Sequence, residues 1–119
     1  MAENYITKRT EKGTVNISQD VIAAMVSAVV AEIDGVTGFG NPTTPELIEL
    51  FGKKSAIKGQ KIRTQDDKIA VDVLLTVKLG GNITDIALHV QDAVSKELEA
   101  ITGMGSLVNV HITGVSLDK

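Results

Sequence analysis

The chain has 119 residues, of which 43% are hydrophobic, enough for one domain around a single core. A formal net charge of -3 gives no overall positive field that would draw the chain to nucleic acid or to an anionic membrane. The absence of cysteine excludes disulfides and thiolate chemistry and suits a reducing cytoplasm. The longest nearly uncharged run, Val21 to Ala31, is shorter than the roughly 18 apolar residues that span a bilayer, so we expect a soluble chain.

The first third of the chain is predicted to hold a tail, a strand and a helix. Residues 1–12 are polar and lack periodicity, which predicts a flexible N-terminal tail, and residues 13–119 are predicted to form a single domain. Alternating apolar residues predict a short strand over residues 14–17. Ser18 can then cap a helix over residues 19–33.

This predicted helix has two different apolar faces. Bulky side chains form one stripe, whereas Ala24, Ala28 and Ala31 form a second face with almost no bulk. The alanine face allows two interpretations: it packs closely on a sheet, or it is a flat surface for self-association.

A weak strand, an inserted short helix and a long hairpin follow. The weak strand covers residues 36–40, and Thr44 can cap a short helix that begins at the following proline. Residues 69–79 alternate apolar and polar side chains, which predicts a long strand buried on one face. A strand over residues 60–64 is predicted to pair with it across Asp66-Asp67.

Gly80-Gly81 precedes the second long helix and raises the question of a phosphate loop. Neither a three-glycine fingerprint nor a Gly-Lys-Ser/Thr sequence is present. Asn82 can instead cap a helix over residues 83–101, with Asp85 placed as in a capping box, so we predict that the glycines turn the chain. A last strand is predicted over residues 107–115.

The order of these elements predicts an α+β fold. We expect a mixed β-sheet of about four to five strands, with the two main helices packed on one face and the short helix as an insertion. The long strands are half polar, which argues against a sheet covered on both faces.

No arrangement of residues in the sequence predicts catalysis. His89 and His111 would have to converge with a carboxylate such as Asp85 or Asp92 to hold a metal, and an exposed helical pair explains Asp85 and His89 equally. The serines have no histidine near them in the sequence, which disfavours a hydrolase. We therefore expect no enzyme activity, no cofactor and no metal.

One stretch of the chain concentrates positive charge. This basic segment has five cations without an acid between them: Lys53, Lys54, Lys58, Lys61 and Arg63. It could contact a protein partner, a phosphate, RNA or lipid headgroups, or it could be a solvated loop and a lysine-blunted edge strand. The chain has one tyrosine, two phenylalanines and no tryptophan, too few aromatic rings for a base-stacking platform, so we expect no nucleic acid partner.

Four segments in a fixed order resemble the alkaline shock protein family of Gram-positive bacteria. They are "GTVNISQDVIAAMVSAVVAEIDGVTGF", "LFGKKSAIKGQKI", "KIAVDVLLTVKLGGNITDIALHVQDAVSKELEAITG" and "VNVHITGV". The resemblance covers residues 13–115 and contains no catalytic motif. Asp67-Lys68, where such sequences often have an Asp-Gly turn, and the longer "NPTTPEL" segment depart from the family pattern.

The resemblance implies a non-enzymatic envelope and alkaline stress response protein that is cytoplasmic and self-associating. In some family members a separate anchor protein holds it at the inner face of the membrane, which implies a homo-oligomer, a membrane-anchored partner and a peripheral location. The family also has paralogues with other duties.

The alternative function is a small RNA-binding module with a KH-like arrangement that uses the basic segment. A KH module needs its G-x-x-G loop between two helices, whereas Gly80-Gly81 lies between a strand and a helix.

Overall fold

The computed structural model describes residues 5–41, 43–51 and 59–117. The elements in chain order are β1 (Tyr5–Thr10), β2 (Gly13–Ser18), α1 (Gln19–Ala31), β3 (Val36–Phe39), α2 (Pro45–Phe51), β4 (Gln60–Gln65), β5 (Lys68–Lys78), α3 (Ile83–Thr102) and β6 (Ser106–Ser116). The α+β class is confirmed, with six described strands in two sheets where we expected four to five strands in one sheet.

Strands β1 and β2 form a separate antiparallel hairpin, so the prediction of a flexible tail is wrong for residues 5–10. Ile6 is 1% exposed and belongs to the main hydrophobic core. Lys8 Nζ donates a hydrogen bond to the carbonyl of Gly103 at 3.1 Å, which ties the hairpin to the end of α3. Because Ile6 is the one buried residue of β1, this strand shows no apolar period in the sequence.

Strand β5 is the centre of a four-stranded mixed sheet. β6 runs parallel along one edge of β5, whereas β4 and β3 pair antiparallel with its other edge, one after the other. The N–H of Gly40 donates to the carbonyl of Leu74 at 2.7 Å, and the N–H of Leu74 donates to the carbonyl of Gly59 at 2.8 Å. The chain between Gly40 and Gly59 therefore leaves and rejoins the sheet at one residue of β5.

Helices α1 and α3 pack on the same face of this sheet, as predicted. Buried side chains from both helices and from β5 belong to one hydrophobic cluster: Ile22, Val26, Val30, Ile69, Val71, Val73, Leu75, Val90, Val94 and Leu98. We call the side of the sheet that they cover the core face. Removing this apolar surface from water stabilises the fold by about 25 cal/mol for each Å².

The prediction that β5 is buried on one face is wrong. Ala70, Asp72 and Leu74 point away from the core face, yet they are 0%, 3% and 0% exposed. β5 has a neighbouring strand along both edges, and the longer side chains of those neighbours extend across it, as the contacts of Arg63 and His111 with Asp72 show. A central strand can therefore be buried on a face that carries polar residues.

Both predicted turns around β5 are confirmed. Asp66 and Asp67, between β4 and β5, have φ values of 52° and 65°, the positive pair that a tight hairpin turn with matching twist requires. Gly80 has a φ of 104°, and the side chain of Asn82 accepts a hydrogen bond from the N–H of Asp85 at 3.1 Å. Gly80-Gly81 thus turns the chain into a helix in which Asn82 caps the amide of Asp85.

Candidate interaction surfaces

The outer side of α1 carries small uncharged residues. Ser18 fixes the start of the helix by accepting a hydrogen bond from the N–H of Asp20 at 3.1 Å. Asp20 is the one charged residue between Gln19 and Ala31. A helix that is apolar on all sides is usually buried on all sides, so its solvent-facing side is of interest.

Ala24, Ala28 and Ala31 are exposed, and Val21, at the same helical spacing, is 58% exposed. The interpretation that the alanine face packs on the sheet is therefore wrong, because bulkier side chains fill the inward positions. We call Val21, Ala24, Ala28 and Ala31 the alanine stripe. It is a flat apolar surface that the described part of the fold leaves open to solvent.

A network of polar side chains lies on the sheet face opposite the core face. Asp72 of β5 is its centre, with Arg63 of β4 on one side and His111 of β6 on the other. Arg63 Nη1 bonds Asp72 Oδ2, and His111 Nε2 lies 3.2 Å from Asp72 Oδ1. The carboxylate is buried, whereas the side chains of Arg63 and His111 are 35% and 31% exposed.

The environment of Asp72 favours its charged form. Burial by itself raises the pKa of this carboxyl, because it removes water from the anion, but four interactions oppose that effect. Hydrogen bonds from Arg63 and His111, the positive charge of Arg63 and a hydrogen bond from Asn109 hold the pKa of Asp72 below its ordinary value of 3.8. Asp72 is therefore an anion at neutral pH, and it joins the three adjacent strands β4, β5 and β6.

This network changes the interpretation of the basic segment. Lys61 pairs in register with Asp72, and Arg63 lies two residues further along β4 on the same face. Arg63 is engaged by Asp72, so its charge is partly neutralised within the fold. Lys53, Lys54 and Lys58 lie outside the described residues.

The two histidines lie on opposite sides of the sheet. His89 is exposed on α3, which packs on the core face, whereas His111 bonds Asp72 on the other face. Within the part of the chain that the structure describes, no three His, Asp or Glu side chains converge in a way that could hold a metal ion.

Sequence reasoning missed the pairing of Asp72 with Arg63 and His111. The available signal was an acid at a polar position of a long strand that is otherwise rich in apolar residues, next to a strand with two cations. Strand order, which the sequence does not state, decides that these groups meet.

Among residues 5–41, 43–51 and 59–117, no helix has both the length and the apolar character needed to cross a membrane.

The fold and its surfaces define an α+β module with an exposed apolar helix face and an internally paired polar network. A sequence model of the alkaline shock protein 23 family, described as having a cell envelope-related function, matches residues 7–117. The chain belongs to this family, as the resemblance predicted.

Relatives of the chain include proteins of Bacillus subtilis and Streptococcus pyogenes. The uncharacterized protein YqhY of Bacillus subtilis is 32% identical over 123 residues, which cover 99% of this chain and 91% of that protein. YloU, also an uncharacterized Bacillus subtilis protein, is 27% identical and covers 92% of this chain and 94% of its own length. An uncharacterized protein of Streptococcus pyogenes is 29% identical and covers 91% of this chain and 92% of its own length.

Solved structures of the MamM CTD have a similar fold. A point variant has a TM-score of 0.55 at 13% identity and covers 81% of this chain and 94% of its own chain. The copper form has a TM-score of 0.50 at 11% identity and covers 84% of this chain and 89% of its own chain. At these identities the likeness concerns the fold alone.

Proposed function

We propose that this protein is a non-enzymatic envelope stress response protein that acts by docking. It associates with copies of itself and binds a membrane-anchored partner at the cytoplasmic side of the membrane. The cell envelope-related family supports the setting of this proposal, and the surfaces of the domain support its mode of action.

The alanine stripe is the observation that carries the proposal. Its four residues expose an apolar, nearly flat helix face that lies between the exposed carboxylates of Asp20, in the first turn, and Glu32, at the C-cap. A flat face of small side chains allows two helices to approach closely, and a surface that meets its own copy about a two-fold axis needs no other partner. We assign self-association to this stripe.

The internal use of the polar groups supports a role without catalysis. The carboxylate of Asp72 is bonded by Arg63, His111 and Asn109 at once, which leaves it committed to holding strands together. A catalytic carboxylate would need to turn toward a substrate.

The basic segment is the proposed contact for the membrane-anchored partner. Its described members, Lys61 and Arg63, are half-buried on β4, and Arg63 is already paired. We therefore assign the contact mainly to Lys53, Lys54 and Lys58, whose charges an acidic surface on the partner would complement.

Replacing Ala28 by glutamate tests self-association. The substitution places two carboxylates opposite each other across the proposed two-fold contact, so we expect the dissociation constant to rise by at least about tenfold in sedimentation velocity. The matched control is Ala100→Glu, which makes the same change at an exposed position of α3. Equal association of wild type and Ala28→Glu would remove the stripe from the proposal.

Charge reversal tests the partner contact separately. Lys53, Lys54 and Lys58 are changed together to glutamate, and the variant is assayed for co-sedimentation with membranes that contain the partner. We expect membrane recovery to fall while light scattering and the circular dichroism spectrum stay as in the wild type. Unchanged recovery would show that these lysines do not contact the partner.

A further inference from the structure

The backbone of β6 presents alternate residues to β5 and to solvent. The N–H of Ile69 donates to the carbonyl of Gly105 at 2.9 Å, and Ile69 pairs in register with Ser106. In a parallel ladder this places the backbone groups of residues 107, 109 and 111 toward β5. The N–H and C=O groups of the intervening residues 106, 108, 110 and 112 therefore point to the outer edge of the sheet.

A side-chain contact agrees with this assignment. Gln91 Nε2 of α3 donates to the carbonyl of Val108 at 3.0 Å, which a carbonyl turned toward the outer edge can accept. The carbonyl oxygen has two lone pairs, so it retains capacity for a second donor.

No strand of the described residues pairs with this outer edge, which runs over 11 residues from Ser106 to Ser116. Exposed edge strands usually carry lysine or other charges that prevent pairing with further strands. β6 has no Lys, Arg, Asp or Glu, whereas β4 has Lys61 and Arg63. The outer edge of β6 is therefore long, neutral and open to another strand.

An open groove runs beside this edge, between α3 and β6, with a volume of about 470 Å³. Its walls include Leu88 and Ser95 of α3 and Leu107 of β6. Leu88 is 52% exposed and Leu107 is 39% exposed, so apolar surface lies where the side chains of an added strand would pack.

We propose that β6 pairs antiparallel with β6 of a second copy, so that the sheet continues across a two-fold axis. This inference rests on the self-association proposed above and gives it a second surface. The regular part of β6 runs over residues 106–112, because the register with β5 shifts between Leu75 and Thr76. A two-fold axis at Asn109 aligns this whole part with itself and pairs Val108 with Val110 of the second copy.

The absence of charged residues from β6 favours a second copy of this chain as the strand that pairs with its outer edge. An antiparallel strand pair is self-complementary about a two-fold axis, and two strands without charged residues meet without like-charge repulsion. A strongly charged strand would find no opposite charge on β6.

Single cysteines test the arrangement in a chain that has no cysteine of its own. Asn109→Cys places two thiols at a non-hydrogen-bonded pair, where Cα atoms are about 4.5 Å apart, so we expect a covalent dimer under mild oxidation. Ala28→Cys is the matched probe for the alanine stripe. A dimer through residue 28 with none through residue 109 overturns this inference and leaves the proposed self-association intact.

Val110→Pro tests the backbone bonds. Proline removes the outward N–H of residue 110 in both copies and leaves the bonds to β5 in place, so we expect the dissociation constant to rise about tenfold to a hundredfold. Val110→Ala, which keeps the N–H, is the control for lost packing. Equal association of the two variants overturns the inference, and the cysteine result decides the matter if Val110→Pro does not fold.

The oligomeric state of the wild type tests the two proposals together. A protein that stays monomeric at millimolar concentration overturns both. If the wild type is monomeric and a neutral strand-forming peptide protects the Val110 amide from hydrogen exchange, the edge binds a peptide and the second-copy inference is wrong.

Discussion

Replacing Arg63 by leucine probes how the fold tolerates the buried carboxylate of Asp72. The variant removes the guanidinium group that contacts Asp72 and keeps an apolar side chain at position 63. Asp72 would remain 4% exposed in its side chain, with His111 and Asn109 as its remaining partners.

The expected loss of unfolding free energy at pH 7 is about 2 to 3 kcal/mol. Removing one partner of a fully buried ion pair costs roughly 3 to 5 kcal/mol, because the other charge is left without compensation. Two hydrogen bonds to Asp72 persist in the variant, and solvent screens the charge of Arg63, whose side chain is 35% exposed, so this figure is lowered. Asp72→Asn should cost less, about 1 kcal/mol, because Arg63 is 35% exposed in its side chain and can turn to water.

The pH dependence gives an independent check. The pKa of Asp72 is lowered in the folded state, so the unfolded chain binds more protons than the folded chain at pH values between the folded pKa and 3.8. The stabilisation is therefore complete above pH 3.8 and is lost as the pH falls through the folded pKa. In Arg63→Leu, burial still raises the pKa of Asp72, whereas the largest lowering interaction is gone, so Asp72 takes up a proton at a higher pH than in the wild type. The difference in unfolding free energy between Arg63→Leu and wild type should therefore be smaller at pH 3 than at pH 7.

Urea unfolding followed by far-ultraviolet circular dichroism suits this chain, which has no tryptophan. Wild type, Arg63→Leu, Asp72→Asn and the double replacement Arg63→Leu/Asp72→Leu would be compared at one protein concentration at pH 7 and pH 3. The double replacement should recover most of the loss, because it leaves no unpaired charge. A loss below about 0.5 kcal/mol for Arg63→Leu at pH 7 would refute the reasoning.

Four further predictions concern the hairpin, two turns and the alternative function. Ile6→Ala should lower the unfolding free energy by about 2 to 4 kcal/mol and expose β1 and β2 to proteolysis. Asp67→Gly should raise it by about 0.5 kcal/mol in urea unfolding, because glycine adopts the positive φ of this turn without strain. Gly103→Ala should lower the melting temperature through a loss of about 1 kcal/mol, since residue 103 has a φ of 71° and an added Cβ would meet Lys8 Nζ. Retention on immobilised RNA should show no steep dependence on salt, and a steep dependence would favour the RNA-binding alternative.

The sequence predicted the elements whose apolar residues follow a regular period. The second long helix and the strand from Lys68 to Lys78 were found because many consecutive turns or alternations repeat one pattern. β1 was missed because its contribution to the core is the single side chain of Ile6, and one residue has no period.

The candidate surfaces were harder to predict. The sequence separated the two faces of α1 but did not decide which one turns inward, a choice that the larger apolar area of the bulky face settles. The Asp72 network joins residues that lie 9 and 39 positions apart. Such pairs depend on strand order, and one sequence alone does not contain that information.

The attachment of both Gly40 and Gly59 to Leu74 determines how freely the segment between them can vary. The segment between these glycines begins and ends at the same residue of β5, so its length and composition do not affect the register of the strands on either side. Doubling the length of such a loop costs only about 0.6 kcal/mol in closure entropy. Replacing or lengthening this segment should therefore leave the pairing of β3 and β4 with β5 unchanged.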